Sequence, residues 1–229
     1  MNVIFTRESE RLKEDILRLA GEVEMRLAEV LKATERRDKD ALQTLMDRDT
    51  EIDEREVQIE EECLKILALH QPVARDLRFV VAVLKINNDL ERIGDIVVNV
   101  ADRGKRLTAF PVSDLQEKIM KMGGLAREML KESLDALIGL DVRKAIKVIA
   151  RDDEVDQMNV DVIQGVISRA APENSGAITE SLILIHSMAR DLERIGDHAT
   201  NIAEDVAYLV DGTIIRHKKV IENRSEHGT

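Results

Sequence analysis

The sequence predicts an all-α fold of two tandem three-helix bundles related by internal duplication, and three observations predict it. The heptapeptide Asp-Leu-Glu-Arg-Ile-Gly-Asp occurs at Asp89 to Asp95 and again at Asp191 to Asp197, each copy followed four residues later by an asparagine, Asn99 or Asn201. Repetition at this scale is the mark of a duplicated structural unit. The second observation is composition: 44% hydrophobic, 34% charged, 2% aromatic and 3 prolines in 229 residues. That balance favours long amphipathic helices over a sandwich or barrel. The third is apolar spacing of three and four residues along most of the chain, the period of a helix with one buried face.

This period places helices at about 6–34, 38–69, 73–108, 113–139, 141–171 and 175–211. Thr6 and Ser9 are expected to cap the first helix and Ser113, with Glu117, the fourth. Pro72, Pro111 and Pro172 fall between periodic segments, where a ring that blocks helix continuation belongs. The first bundle is expected over residues 1–110, the second over 111–212, and a polar tail with Arg216, His217, Lys218 and Lys219 over 213–229. Short connections make successive helices antiparallel. Outside the heptapeptide the halves also align: Arg48-Asp49, Glu51, Ile52 and Asp53 match Arg151-Asp152, Glu154, Val155 and Asp156 at an offset of 103 residues. Leu27, Leu31 and Ala33 match Leu130, Leu134 and Ala136 at the same offset, which shrinks by one before the third helix.

A net charge of −11 argues against a nucleic-acid partner, because binding to a phosphate backbone requires a basic face. The one cysteine, Cys63, falls on an apolar helix face; it has no disulfide partner and reads as core in a reducing compartment. No apolar run approaches the roughly 20 residues needed to span a bilayer, and no signal peptide is recognisable, so a cytoplasmic location without membrane insertion is expected.

On the third predicted helix, Glu91, Asp95, Asn99 and Asp102 fall within an arc of roughly 80°, with Asn88 inside it. Val83, Ile86, Leu90, Ile93, Val97 and Val100 gather on the opposite side. The sixth predicted helix repeats the stripe with Glu193, Asp197, Asn201 and Glu204, and His186 lies two turns earlier on the same line. Carboxylates four residues apart repel by a few tenths of a kcal/mol. Gly94 and Gly196 each cost about 1 kcal/mol in a helix interior, unless they admit a close neighbour. A cation turns the repulsion into coordination, and hard oxygen ligands suit magnesium, manganese or iron better than zinc, for which clustered Cys and His are missing. Asp49 with Asp53, and Asp152 with Asp156, either close these sites or flank the core seam as charged edges. Arg92 and Arg194 stand three residues after Asp89 and Asp191, a spacing for intrahelical ion pairs.

With the doubled Glu-x-x-x-Asp signature at Glu91/Asp95 and Glu193/Asp197, and the entry Pro72-Val73-Ala74-Arg75-Asp76-Leu77-Arg78 to the third helix, residues 6–211 resemble the PhoU family. The resemblance implies a non-enzymatic cytoplasmic negative regulator of phosphate uptake and of the phosphate-starvation response. Such a protein links the ATPase subunit of a phosphate ABC transporter to a sensor histidine kinase, is commonly a homodimer, and holds metal ions or iron clusters on its signature motifs. Arg75 and Arg78 become partner-binding residues on this reading; the second repeat has Ala177 and Glu180 there, so that contact should be asymmetric. Two other readings compete. A carboxylate-bridged di-iron enzyme uses Glu-x-x-His pairs, and none occurs here. A metal-independent helical scaffold would present the acidic faces directly to a basic partner.

Overall fold

The computed structural model describes residues 3–48, 50–171 and 175–212. Asp49, Pro172 and the predicted polar tail lie outside the described residues. The described chain contains eight helices: α1 (Val3–Arg36), α2 (Lys39–Met46), α3 (Thr50–His70), α4 (Ala74–Leu107), α5 (Asp114–Gly139), α6 (Val142–Ala150), α7 (Asp152–Arg169) and α8 (Gly176–Asp211). It is all-α, with no strand among the described residues.

Each repeat is a bundle of three helical rods in which the middle rod is broken. The single helices expected at 38–69 and 141–171 are α2 plus α3 and α6 plus α7. The breaks come at matched places. Asp47 ends α2 at φ −71°, ψ −8°, and Arg151 ends α6 at φ −89°, ψ −7°. A ψ near zero opens the chain without disturbing the apolar count, so periodicity read straight through both breaks. Acidic first turns, Glu51 and Asp53 on α3 and Asp152, Asp153 and Glu154 on α7, then favour restarting a helix because carboxylates complement its positive end. Arg151 is tied to α5 through Glu128 at 2.9 Å and Glu132 at 3.2 Å.

Side-chain caps open α2, α5 and α6. Asp38 accepts from the Ala41 amide at 3.0 Å, Asp141 from Arg143 and Lys144, and Ser113 from Gln116 as its sequence position predicts. The first helix begins at Val3, ahead of Thr6 and Ser9, which are therefore inside α1 and do not cap it.

Leu12, Ile16, Leu19, Val23, Leu27 and Val30 form the buried stripe of α1, and Cys63 is fully buried on α3. The six apolar residues predicted opposite the carboxylate stripe of α4 are buried as well. One continuous core runs through both repeats. Its axis is the antiparallel pair α4 and α8, the most extensive helix contact in the molecule. Lys85–Asp205 at 2.9 Å and Arg103–Asp191 at 2.5 Å cross that contact, residue numbers rising on one helix as they fall on the other. No described helix is long and apolar enough to cross a membrane.

Two carboxylate clusters as candidate metal centres

The break before α3 aims its first turn at α4. Ile52 packs against Gly94 so tightly that a Cβ there would stand 3.1 Å from Ile52 Cδ1. Val155 meets Gly196 in the same way, 3.4 Å from the equivalent Cβ position. The glycine in each heptapeptide is thus the point where the broken middle helix lies against the third. This contact brings the acids of two helices together.

In the first repeat one carboxylate oxygen each from Asp53, Glu91 and Asp95 lies within 4.8 Å of the others, the one such group of three among the described residues. Glu91 is half-buried, and its pKa rises because burial and the charges of Asp95, Glu56 and Asp53 disfavour ionisation more than Arg92 favours it. Glu56, outside the sequence-derived set, adds its charge to this group. Its pKa is also raised by burial, Glu60 and Asp53, while Asn87 donates to its backbone carbonyl at 2.9 Å. The i,i+3 step from Asp53 could have found it.

In the second repeat Asp152, Asp156, Glu193 and Asp197 are coupled by charge. Burial pushes the Asp197 carboxyl up to about 6, helped by Asp152, Glu193 and Asp156 and opposed by His198. Burial likewise raises Asp152, while a 3.1 Å hydrogen bond from Thr200 Oγ1 to its Oδ1 offsets part of the rise. Asp152, Asp197 and Glu204 line an open groove of ≈ 820 Å³ whose opposite wall is Asn88 and Asp89 of the first repeat. The three-oxygen convergence of the first repeat is not reproduced among these four acids.

Asn201 and Glu204 share the groove of Asp152 and Asp197, whereas Asn99 and Asp102 face elsewhere. Asn99 donates to the Asp95 carbonyl at 3.0 Å, one turn back on its own helix. With Asp102 it lines a different groove, beside Arg103, Arg106 and the start of α8. Asn201 Nδ2 donates to Asp89 Oδ1 at 3.3 Å, across the repeat boundary. His186 is half-buried on α8 and is not in the convergent set. Asp89 does not pair with Arg92 as its spacing suggested. His198 and Asn201 hold Asp89, and Arg92 donates to Asn88 at 2.8 Å. Asp191 is paired with Arg103. Arg75 is exposed at the rim of an apolar groove, and Arg78 packs its guanidinium beside Gly212 at the end of α8.

The donor sets are oxygen-only, from residues on two helices, and the first is compact enough for one hard cation. Asp53, Glu91 and Asp95, with Glu56 adjacent, therefore fit magnesium, manganese or iron; Asp152, Asp156, Glu193 and Asp197 offer the same chemistry in a looser set.

Two repeats of one helical bundle, each bringing together acids from its middle and third helices, define a duplicated all-α helical-bundle protein. The model of the PhoU domain matches residues 16–104 and again 119–206. The chain belongs to the PhoU family. It is 32% identical over 212 residues to the phosphate-specific transport system accessory protein PhoU homolog of Clostridium acetobutylicum, covering 91% of this chain and 95% of that one. The Pseudomonas aeruginosa homolog of the same name is 35% identical over 226 residues, covering 96% and 93%. The crystal structure of PhoU from Pseudomonas aeruginosa superposes with a TM-score of 0.86 at 34% identity, over 91% of this chain and 100% of that one. The phosphate transport system regulatory protein PhoU from Streptococcus pneumoniae gives 0.83 at 28% identity, over 92% and 98%. The matched relatives are named accessory proteins of phosphate-specific transport systems, and the Streptococcus pneumoniae structure is named a regulatory protein.

Proposed function

We propose that the chain is a cytoplasmic negative regulator of phosphate uptake and of the phosphate-starvation response, acting as an adaptor between the ATPase of a phosphate transporter and a sensor histidine kinase. Its kinship with accessory proteins of phosphate-specific transport systems supports the transporter side. The observation that carries the site is the convergence of Asp53, Glu91 and Asp95 from two helices. Bound magnesium, manganese or iron would neutralise both acidic clusters. The chain's own residues then do the rest: the α3/α4 and α7/α8 contacts hold the carboxylates at the surface, and a less repelling surface docks more readily on a partner. Association into a homodimer is supported by exposed apolar residues at repeat-equivalent positions, Val57 and Leu64 on α3 and Val160 and Ile167 on α7.

The test is metal content by mass spectrometry in the wild type and in an E91A/D95A variant. Loss of metal in proportion to one cluster, with helical content unchanged, is the expected result. Unchanged metal content removes this site from the proposal. Capture of the transporter ATPase, repeated in strong chelator, separates the cation-dependent adaptor from a metal-independent scaffold.

A further inference from the structure

The two repeats hold the first turn of α3 and of α7 by different means, and the difference centres on Arg26. This residue of α1 is only 4% exposed. Its guanidinium donates to Glu51 Oε2 at 2.7 Å, on the first turn of α3, and to Glu22 Oε1 at 3.3 Å, one turn back on α1. Arg55 Nε holds Glu22 in turn at 3.0 Å, and Arg48 stands 3.7 Å from Glu51. A chain of five charged side chains thus runs from the break between α2 and α3 through α1 and back to the second turn of α3.

The second repeat replaces this chain with apolar packing. At the offset of 103 residues Glu22, Arg26 and Arg55 correspond to Leu125, Met129 and Met158. Met129 is fully buried, and Leu125 and Met158 pack on the core. Stability does not account for the charges of the first repeat, because apolar residues of similar volume in place of a buried ion pair are often neutral or stabilising. What methionine lacks is direction. Apolar burial has no preferred orientation, whereas a hydrogen bond weakens steeply when misaligned. Glu51 precedes Asp53 by two residues, and Ile52, which packs on Gly94, lies between them. Fixing Glu51 against α1 therefore fixes how α3 is turned towards α4. The repeat with the charged chain is the one in which Asp53, Glu91 and Asp95 converge, and the repeat with methionine has the looser set.

We propose that Arg26 is the positioning residue of the first cation site: through Glu51 it sets the rotation of α3 that brings Asp53 to Glu91 and Asp95, so that the first cluster binds a hard divalent cation more tightly than the second. Its ion pairs are with Glu22 and Glu51 and not with the three acids, so it acts through the helix and not as a ligand. This inference rests on the cation reading of the site proposed above.

Manganese titration of the full chain by calorimetry tests it, in a D152N/D197N background that keeps the first cluster and in an E91Q/D95N background that keeps the second. The first background should bind manganese more tightly. Arg26→Met supplies the side chain that the second repeat uses and leaves Glu22 with Arg55 and Glu51 with Arg48, so no carboxylate is stranded. In the first background this substitution should weaken manganese binding about tenfold, the scale of loss when a residue that orients metal ligands is removed. Glu51→Ala, which cuts the same tie from its exposed end, should weaken it similarly. In the second background Arg26→Met should leave the affinity unchanged. An unaltered first cluster in Arg26→Met overturns the proposal while the cation reading stands. Equal losses at both clusters also overturn it, since Arg26 would then support the whole fold and not one site. No manganese binding in the first background before Arg26 is changed defeats the cation reading, and this inference with it.

Discussion

His198 Nδ1 lies 2.8 Å from Asp89 Oδ1, so the opening aspartate of the first heptapeptide is bound by the residue directly after the second. Asn201 donates to the same oxygen at 3.3 Å. The two copies of the motif therefore do more than repeat: each lends residues to the seam between α4 and α8. Replacing Asp89 by Ala leaves two part-buried donors without their acceptor, a loss of about 1–3 kcal/mol. Asp89→Asn keeps an acceptor oxygen and should lose less. Urea unfolding of both variants checks the order.

The partner contact across the same seam is Arg103 with Asp191. Asp191 is 5% exposed, so Arg103→Ala strands a buried carboxylate and should destabilise by about 3 kcal/mol. Adding Asp191→Asn removes the stranded charge. Recovery of part of the loss in the double variant, measured by chemical denaturation, is the expected result.

Alanine at the two heptapeptide glycines should give different outcomes. At Gly196 the new methyl would meet Val155 at 3.4 Å, ordinary contact, so the helix-propensity gain of about 0.5–1 kcal/mol should survive. At Gly94 it would meet Ile52 at 3.1 Å and push on the residue next to Asp53. Thermal melts should show Gly196→Ala raising Tm and Gly94→Ala falling below it. Equal gains at both sites would show that the Ile52 contact gives way freely.

Asp197 sets a pH dependence. Its folded pKa, about 6, stands above the ordinary aspartate value of 3.8, so between these limits the folded state holds a proton that the unfolded state has released. Stability of the metal-free protein therefore rises as pH falls from about 7 towards 4, and that gain is lost as pH climbs back through 6. Asp197→Asn should flatten this part of the profile. Denaturation midpoints of wild type and variant across that range, in chelator, give the comparison.

The first and third rods of each repeat were legible because a helix with one buried face repeats every 3.6 residues in the sequence itself. The breaks at Asp47 and Arg151 were not, since one or two residues at ψ near zero leave the apolar count intact. Glu91 and Asp95 were legible from their spacing, and Asp53 from the repeat alignment. Glu56, three residues after Asp53, is outside the sequence-derived set, and a shared arc of the helix surface puts Asn99, Asp102 and Asn201 with the acids. An arc specifies a direction from one axis. It does not say which neighbour stands there.

By itself the sequence determined the helical class, the duplication, the buried stripes and the two Glu-x-x-x-Asp signatures, all of which depend on separations along one chain. Only the tertiary structure decided that Asp53 meets Glu91 and Asp95, that Asp89 belongs to His198 and Asn201, and that Arg103 serves Asp191. Those pairings arise where α3 lies against α4 and α4 against α8. The packing of whole helix faces, with glycine at the closest approach, fixes the relative rotation of the rods and so selects which polar groups meet.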